Sequence, residues 1–113
     1  FSELFGVAIH AETQIGPGFY IGHPGLIRVS GSVKIGKNLS IAHGVTIGQK
    51  GLGVKGVPVI GDDVFIGAGA KLLGPIHIGN KVIVGANAVV ITNIPNNSTA
   101  VGVPARIIKK QCI

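Results

Sequence analysis

An aliphatic residue recurs at every sixth position through the second half of the chain, and this spacing limits what the chain can fold into. An α-helix repeats its buried face every 3.6 residues and a strand every two residues, so neither explains the period. A fixed longer period is typical of repeat architectures, in which short strands alternate with corners. Between positions 59 and 90 the repeating residues are Ile60, Ile66, Leu72, Ile78, Val84 and Val90.

The same period continues toward the N-terminus. In most units a smaller apolar residue follows the aliphatic residue by four positions, and Gly often comes directly after the aliphatic residue, as in Ile66-Gly67. We interpret each unit as a strand of about five residues followed by a corner, so that three units make a triangular coil. One unit cannot bury its side chain alone, so the coils must stack as parallel sheets. The earlier members are Ile9, Ile15, Ile21, Val29, Ile35, Ile41 and Ile47.

Two insertions interrupt the period. One of two residues lies within "HPGLIR" after Ile21, and one of seven lies within "GQKGLGVKGVP" after Ile47. We expect this Gly-rich segment, about residues 48–58, to project from a corner, either as a functional loop or as a tolerated insertion. After Val90 the repeat fades, and we expect an irregular C-terminal tail that covers the open edge of the last coil.

The composition favours one domain, residues 1–113, with a thin and regular interior. Of the 113 residues 46% are hydrophobic but only 4% are aromatic, and 19 are Gly. The chain opens on Phe1, so we expect a trimmed or incomplete N-terminus. Cys112 is the single cysteine, either an incidental tail thiol or a sign of a reducing compartment. With no signal peptide and no apolar run long enough to span a bilayer, a cytoplasmic protein without a membrane span is expected.

The net charge of +6 comes from ten Lys and Arg against four acidic residues. The cations are scattered singly apart from Lys109 and Lys110, and the chain has few aromatic residues for base stacking, so no nucleic-acid partner is expected. The charge favours a small polyanionic ligand, such as a phosphorylated cofactor, or serves solubility alone.

Over nearly its whole length the chain resembles the hexapeptide-repeat acyltransferases, and among them the serine acetyltransferases and their relatives that act on sugars. The resemblance rests on "FIGAGAKLLGPIHIGNKVIVGANAVV" and "AVGVPARII". It implies an all-β, left-handed parallel β-helix that assembles as a homotrimer. It also implies that acetyl-CoA binds in the groove between two subunits and gives its acetyl group to a hydroxyl of a small-molecule acceptor.

Two of the four histidines occupy the third position of their units, in "IGH" and "IAH". Counting one coil plus the two-residue insertion places His23 and His43 at the same corner, and the count continues to Ala68 and Ala86. His10 and His77 are expected at the surface. In the resemblance "YIGHPG" marks the catalytic base, which makes His23 the candidate general base unless it is a surface histidine at a bulge.

The other candidate site residues follow from the same comparison. His43 is expected to contact the substrate or to line the groove as a structural residue. Ala68 and Ala86 match positions whose backbone contacts CoA, and the backbone near Gly48 and Gln49 is a candidate oxyanion donor. Basic side chains are candidates for the CoA phosphates, or are solvated charges; these are Lys71, Arg106 and Lys109.

The chain departs from the serine acetyltransferase pattern at four positions. That family has acids where this chain has Ala8 and Gly22, and an Arg-His pair where it has Gly56 and Val57. Only lysines remain in the loop to meet a carboxylate, so we expect a sugar or sugar-containing acceptor, as in surface polysaccharide biosynthesis. Serine is the alternative.

Two other function classes fit the sequence less well. A carbonic anhydrase of the same fold would need a zinc-binding histidine five positions after His43, where the chain has Gly48, so no metal is expected. A non-enzymatic solenoid would favour flat arrays of Thr on one face, which the chain lacks.

Overall fold

The structure, a computed structural model, describes residues 2–4, 7–9, 12–22, 25–51 and 56–110. Within these ranges the chain forms sixteen short strands. No helix in the described part is long and apolar enough to cross a membrane. The first eight strands are β1 Ser2–Leu4, β2 Val7–Ile9, β3 Gln14–Ile15, β4 Tyr20–Ile21, β5 Ile27–Val29, β6 Lys34–Ile35, β7 Ser40–Ile41 and β8 Thr46–Gly48. The others are β9 Val59–Ile60, β10 Phe65–Ile66, β11 Lys71–Leu73, β12 His77–Ile78, β13 Ile83–Val84, β14 Val89–Val90, β15 Ser98–Val101 and β16 Arg106–Lys110.

The described strands form three sheets, one on each side of a triangular coil. The first sheet has the order β1-β2-β5-β8-β11-β14, the second β16-β15-β13-β10-β7-β4 and the third β12-β9-β6-β3. The described pairs between successive coils are parallel, whereas β1 on β2 and β16 on β15 are antiparallel. The chain therefore visits each side in turn and advances by one strand spacing per coil, about 4.8 Å.

The predicted six-residue core is confirmed. Each repeating aliphatic residue from Val29 to Val90 is at most 5% exposed, and Ile9, Ile15 and Ile21 pack against this core. The smaller apolar residue four positions later is buried as well, for example Leu39 and Val64. Because burial of one such aliphatic side chain contributes about 1.5–3 kcal/mol, the stacked rows supply most of the stabilisation that a single coil lacks.

Two kinds of residue make the corner that follows the third sheet. Gly61 lies against the next coil, and a Cβ there would be 2.9 Å from the Gly79 carbonyl carbon, so only a hydrogen fits. Two residues further on, the backbone is left-handed in successive coils, at Asn38, Asp63 and Lys81, with φ between 56° and 59°. Asn and Asp tolerate this conformation better than other side chains do, which explains their recurrence at this corner.

The Gly-rich segment differs in extent from its prediction. Strand β8 continues through Gly48, and Val57 is half-buried against the core, followed by buried Pro58. Residues 52–55 lie outside the described ranges. The excursion is therefore shorter than the expected 48–58, because both of its ends are held by the sheet and the core.

The C-terminal tail is regular where an irregular tail was expected. Strand β15 extends the second sheet in parallel with β13, and β16 turns back antiparallel on β15. Ser98 and Ala100 point into the core with no exposed surface, which fixes β15 as one more coil side. As expected, the tail covers an open edge, since β16 is the outermost strand of this sheet.

Candidate active site

One corner of the β-helix carries His43, Ala68 and Ala86 in successive coils. The Gly69 N–H donates to the His43 carbonyl over 2.9 Å, and the Asn87 N–H donates to the Ala68 carbonyl over 2.8 Å. Ala68 is half-buried, while His43 and Ala86 are exposed. His23, which the sequence count added to this column, lies outside the described residues, as do His10 and Cys112.

The register locates the two-residue insertion next to this corner. Ile21 pairs with Ile41 before the corner, but Arg28 pairs with Thr46 after it. The Gly44 N–H donates to the Gly25 carbonyl over 2.8 Å, so Gly25 holds the place that position 43 holds one coil later. The extra residues therefore fall between positions 22 and 25, the segment that contains the candidate base.

The corner exposes main chain as well as small side chains. In the described part of the chain, the N–H groups of Ala68 and Ala86 have no acceptor. Gly85, next to Ala86, lies under Val101, whose Cγ1 would be 2.7 Å from a Cβ at that position. Two free donors one coil apart, beside methyl groups, suit a thin ligand that carries amide carbonyls.

The candidate phosphate-binding cations approach this corner from two strands. Lys71 is exposed on β11, and its Nζ donates to the Gly69 carbonyl over 3.2 Å. Its register partner Val89 accepts a hydrogen bond from the Ala105 N–H, which brings exposed Arg106 to the same end of the molecule. The side chain of Lys109 lies outside the described part of the structure.

A cavity of about 340 Å³ lies on the outer side of the first sheet, where β5 and β8 end. Gln49 lines it, and the Gln49 N–H has no acceptor within the described ranges. Gly48 precedes it at the buried end of β8, where a Cβ would collide with Ser30 Oγ. The residues that line the cavity are Ala8, Arg28, Val29, Ser30, Gly31, Gln49 and Val57.

Sequence reasoning missed Arg28. This residue faces outward on β5 between buried Ile27 and Val29, and its guanidinium has no hydrogen bond or ion pair with the described residues. The signal was the apolar-cation-apolar pattern immediately after the first insertion. Only the register, which sets β5 beside β8, shows that this strand ends at the cavity next to Gln49.

Comparisons with known proteins place the chain in a family. Residues 58–92 match the family described as "Bacterial transferase hexapeptide (six repeats)". The serine acetyltransferase of Mycobacterium tuberculosis is 44% identical over 106 residues, which cover 93% of this chain and 46% of that protein. The chain spans about half the length of the curated relatives it matches.

Solved structures agree with these relatives. The crystal structure of Neisseria gonorrhoeae serine acetyltransferase has a TM-score of 0.90 and 38% identity, and covers 96% of this chain and 42% of that chain. A serine acetyltransferase in complex with CoA has a TM-score of 0.85 and 41% identity, covering 90% of this chain and 42% of that chain.

These matches contradict the preference for a sugar acceptor and for polysaccharide biosynthesis, because the relatives and the solved structures are serine acetyltransferases. That preference was wrong because it rested on a few substituted positions, whereas the identity to serine acetyltransferases extends over at least 93% of the chain. The predicted fold and family are confirmed. The chain belongs to the hexapeptide-repeat transferases, and its fold is their left-handed parallel β-helix.

Proposed function

We propose that this chain transfers an acetyl group from acetyl-CoA to the side-chain hydroxyl of L-serine, as an acetyl-CoA-dependent serine O-acetyltransferase. The observation that carries the proposal is the identity of 42–46% with serine acetyltransferases across at least 93% of the chain. Similarity of this extent includes the corner and the cavity described above, rather than the repeat alone.

The reaction needs a base, because a serine hydroxyl is a weak nucleophile at neutral pH. We assign this role to His23. It takes the Oγ proton while Oγ attacks the thioester carbonyl carbon, which gives a tetrahedral oxyanion. The carbon–sulfur bond then breaks, its electron pair stays on sulfur, and the imidazolium returns the proton to the CoA thiolate. The products are O-acetylserine and CoA.

The free N–H of Gln49 is the proposed donor to the oxyanion. Gln49 lines the cavity and directly follows β8, where the Gly48 carbonyl accepts the Gly74 N–H over 2.9 Å. A donor held in place before the charge develops needs no reorganisation during the reaction, and one such donor contributes about 10²–10³ in turnover.

The exposed corner is the proposed site for acetyl-CoA. Amide carbonyls of its pantetheine arm would accept from the N–H groups of Ala68 and Ala86, and phosphates would meet Lys71, Arg106 and Lys109. The fit is supported by small side chains and free donors in successive coils. His43 would contact the acceptor or support the base at the same corner.

We further propose a cytoplasmic homotrimer. The outward row of the second sheet contains three large apolar residues in register, with Tyr20 62%, Phe65 47% and Ile83 39% exposed. An exposed apolar row of this kind supports a contact between subunits.

A thiol-release assay tests the proposed function. The full chain is incubated with acetyl-CoA and L-serine, and the free CoA thiol is measured against reactions without acceptor and with a panel of sugars. We expect release that depends on serine, together with O-acetylserine identified by mass spectrometry. Absence of serine-dependent release, or release with sugars alone, contradicts the proposal.

A further inference from the structure

The cavity on the first sheet contains a cation that has no partner among the described residues. Arg28 lines it, and no described residue offers its guanidinium a hydrogen bond or an ion pair. We propose that Arg28 binds the carboxylate of the acceptor and makes the enzyme selective for a small hydroxy acid with a free carboxylate. The inference rests on the proposed acetyl transfer and names the residue that selects its substrate.

The surroundings of Arg28 leave its charge available. Its register partners are Ala8 and Thr46, neither of which is charged. No described residue that lines the cavity is acidic. Asp62 and Asp63 are engaged elsewhere, since Asp62 Oδ1 accepts the Lys37 N–H and Asp63 Oδ1 accepts Asn38 Nδ2, both over 2.9 Å. No described residue therefore neutralises Arg28 before a carboxylate enters the cavity.

Arginine suits this task because its planar guanidinium binds both carboxylate oxygens at once. The walls formed by Val29 and Val57 exclude water on one side, which strengthens the ion pair relative to one in bulk solvent. Ser30, which also lines the cavity, adds a hydroxyl for hydrogen bonds to the rest of the acceptor.

The size of the site also favours a short acceptor. The cavity volume of about 340 Å³ is near the lower limit of small-molecule sites. Thr46, the register partner of Arg28, precedes Gln49 by three residues, roughly 10 Å along an extended strand. A molecule with only a few atoms between its carboxylate and its hydroxyl can bind the guanidinium and still present the hydroxyl near the Gln49 N–H, the proposed donor to the oxyanion.

Arg28 could instead contact a phosphate of CoA, and the placement of the other cations argues against this. Lys71 is bound to the Gly69 carbonyl at the exposed corner, where Ala68 and Ala86 offer their N–H groups. Arg28 lies on the cavity side, together with Gln49. Arg28 and Lys71 lie in one outward row, since both are level with Thr46. Lys71 is bound to the corner before its strand, whereas Arg28 lines the cavity where β5 and β8 end, so the two cations serve opposite ends of their strands.

The test compares L-serine with L-serinamide, whose carboxamide is similar in shape and carries no charge. Arg28→Gln, Arg28→Lys and the control Lys34→Gln are prepared in the full chain. Lys34 is an exposed cation at an outward strand position, as Arg28 is, but it lies on the third sheet away from the cavity. Circular dichroism and thermal unfolding check that all variants fold.

We expect Arg28→Gln to lower kcat/KM for L-serine by roughly 10- to 150-fold, the effect of losing a hydrogen bond to a charged group. Its kcat/KM for serinamide should stay within about threefold, and its KM for acetyl-CoA within about twofold, because neither depends on the carboxylate contact. Arg28→Lys keeps the charge but loses the bidentate geometry, so its kcat/KM for L-serine should lie between those of the unmodified protein and Arg28→Gln. Lys34→Gln should match the unmodified protein.

Two kinetic outcomes overturn the assignment. One is an equal loss with serine and serinamide, and the other is a large rise in the KM for acetyl-CoA with serine kinetics unchanged. If the unmodified protein does not acetylate serine, the proposed function fails. The role of Arg28 is then tested separately by measuring the binding of L-serine. Ligand-observed NMR with L-serine alone should show binding that is lost in Arg28→Gln and kept in Lys34→Gln. Equal binding in both variants, or none in the unmodified protein, also overturns the assignment.

Discussion

Arg28 and Ala8 are direct register partners on neighbouring strands of the first sheet, and both line the same cavity. Ala8 is only 5% exposed, whereas Arg28 is exposed. The register partner of Arg28 on β2 is therefore a buried alanine, which carries no charge. Position 8 is also where the serine acetyltransferase pattern has an acid. With alanine there, no described neighbour of Arg28 on β2 carries a negative charge.

An acid introduced at position 8 should couple to Arg28. We expect Ala8→Asp to destabilise the protein, because it places a carboxylate at a buried position. The loss should be larger by about 1 kcal/mol in an Arg28→Gln background, where the carboxylate has no partner. Chemical denaturation of the two single variants and the double variant measures the coupling. Ala8→Asn, of similar shape and uncharged, should show none, and additive losses for Asp would mean that the two side chains do not meet.

Replacement of His23 tests the proposed base. We expect His23→Asn to lower kcat by roughly 10²–10⁴, the usual contribution of a positioned general base, with acetyl-CoA binding kept. His77→Asn is the matched control, because His77 is exposed on β12 of the third sheet. Thiol release gives kcat, and equilibrium titration gives the CoA affinity. Near-normal turnover of His23→Asn would remove this residue from the mechanism.

The sequence period was enough to predict the core and three members of the corner column, whereas the place counted for His23 is held by Gly25. Ile66 and Val84 are one coil apart in the sequence, and they are register partners in the second sheet. The period works because each coil repeats the same backbone path. Residues one coil apart in the sequence therefore lie side by side on neighbouring strands. It predicted the places of His43, Ala68 and Ala86 for the same reason.

The period predicted the strand of Arg28 but not the cavity beside it. The pairing of Arg28 with Thr46 follows from the count, since Val29 and Ile47 are one coil apart, whereas the placement of Gln49 and Val57 around the cavity depends on the excursion after β8. The period also said nothing of β16, whose antiparallel return depends on local turn geometry rather than on the repeat. Sites near insertions and at chain ends can therefore be located only from the structure.

The backbone contact between coils makes Gly61 sensitive to a single methyl group. A Cβ there would be 2.9 Å from both the carbonyl carbon and the oxygen of Gly79, which strand pairing holds in place. We expect Gly61→Ala to lower the free energy of unfolding by about 1–3 kcal/mol. Gly51→Ala is the matched control, since a Cβ at that position meets no atom within 4 Å. Urea denaturation compares them, and equal stability would show that the coils can separate at this corner.

The left-handed corner offers a stabilising change. Lys81 has a φ of 56°, at the same corner where Asn38 and Asp63 adopt nearly the same angle. Because Asn tolerates this conformation better than Lys does, Lys81→Asn should raise the free energy of unfolding by about 0.5–1 kcal/mol. Lys37→Asn, the same change at an exposed residue outside the positive-φ set, should bring no gain. A loss of stability on Lys81→Asn would mean that the lysine side chain contributes more than the backbone strain costs.

The proposed trimer predicts what a charge on the second sheet does. Phe65 is 47% exposed between Ser40 and Ile83 in the outward row, so its replacement leaves the core unchanged. We expect Phe65→Glu to convert the trimer to a monomer with the same circular dichroism spectrum, because three carboxylates would be buried at the contacts. Lys34→Glu, an equally outward change on the third sheet, should leave the trimer intact. Light scattering coupled to gel filtration measures the mass of both variants. A trimer that survives Phe65→Glu would mean that the subunits meet on another face. An unmodified chain that is monomeric would contradict the proposed trimer itself.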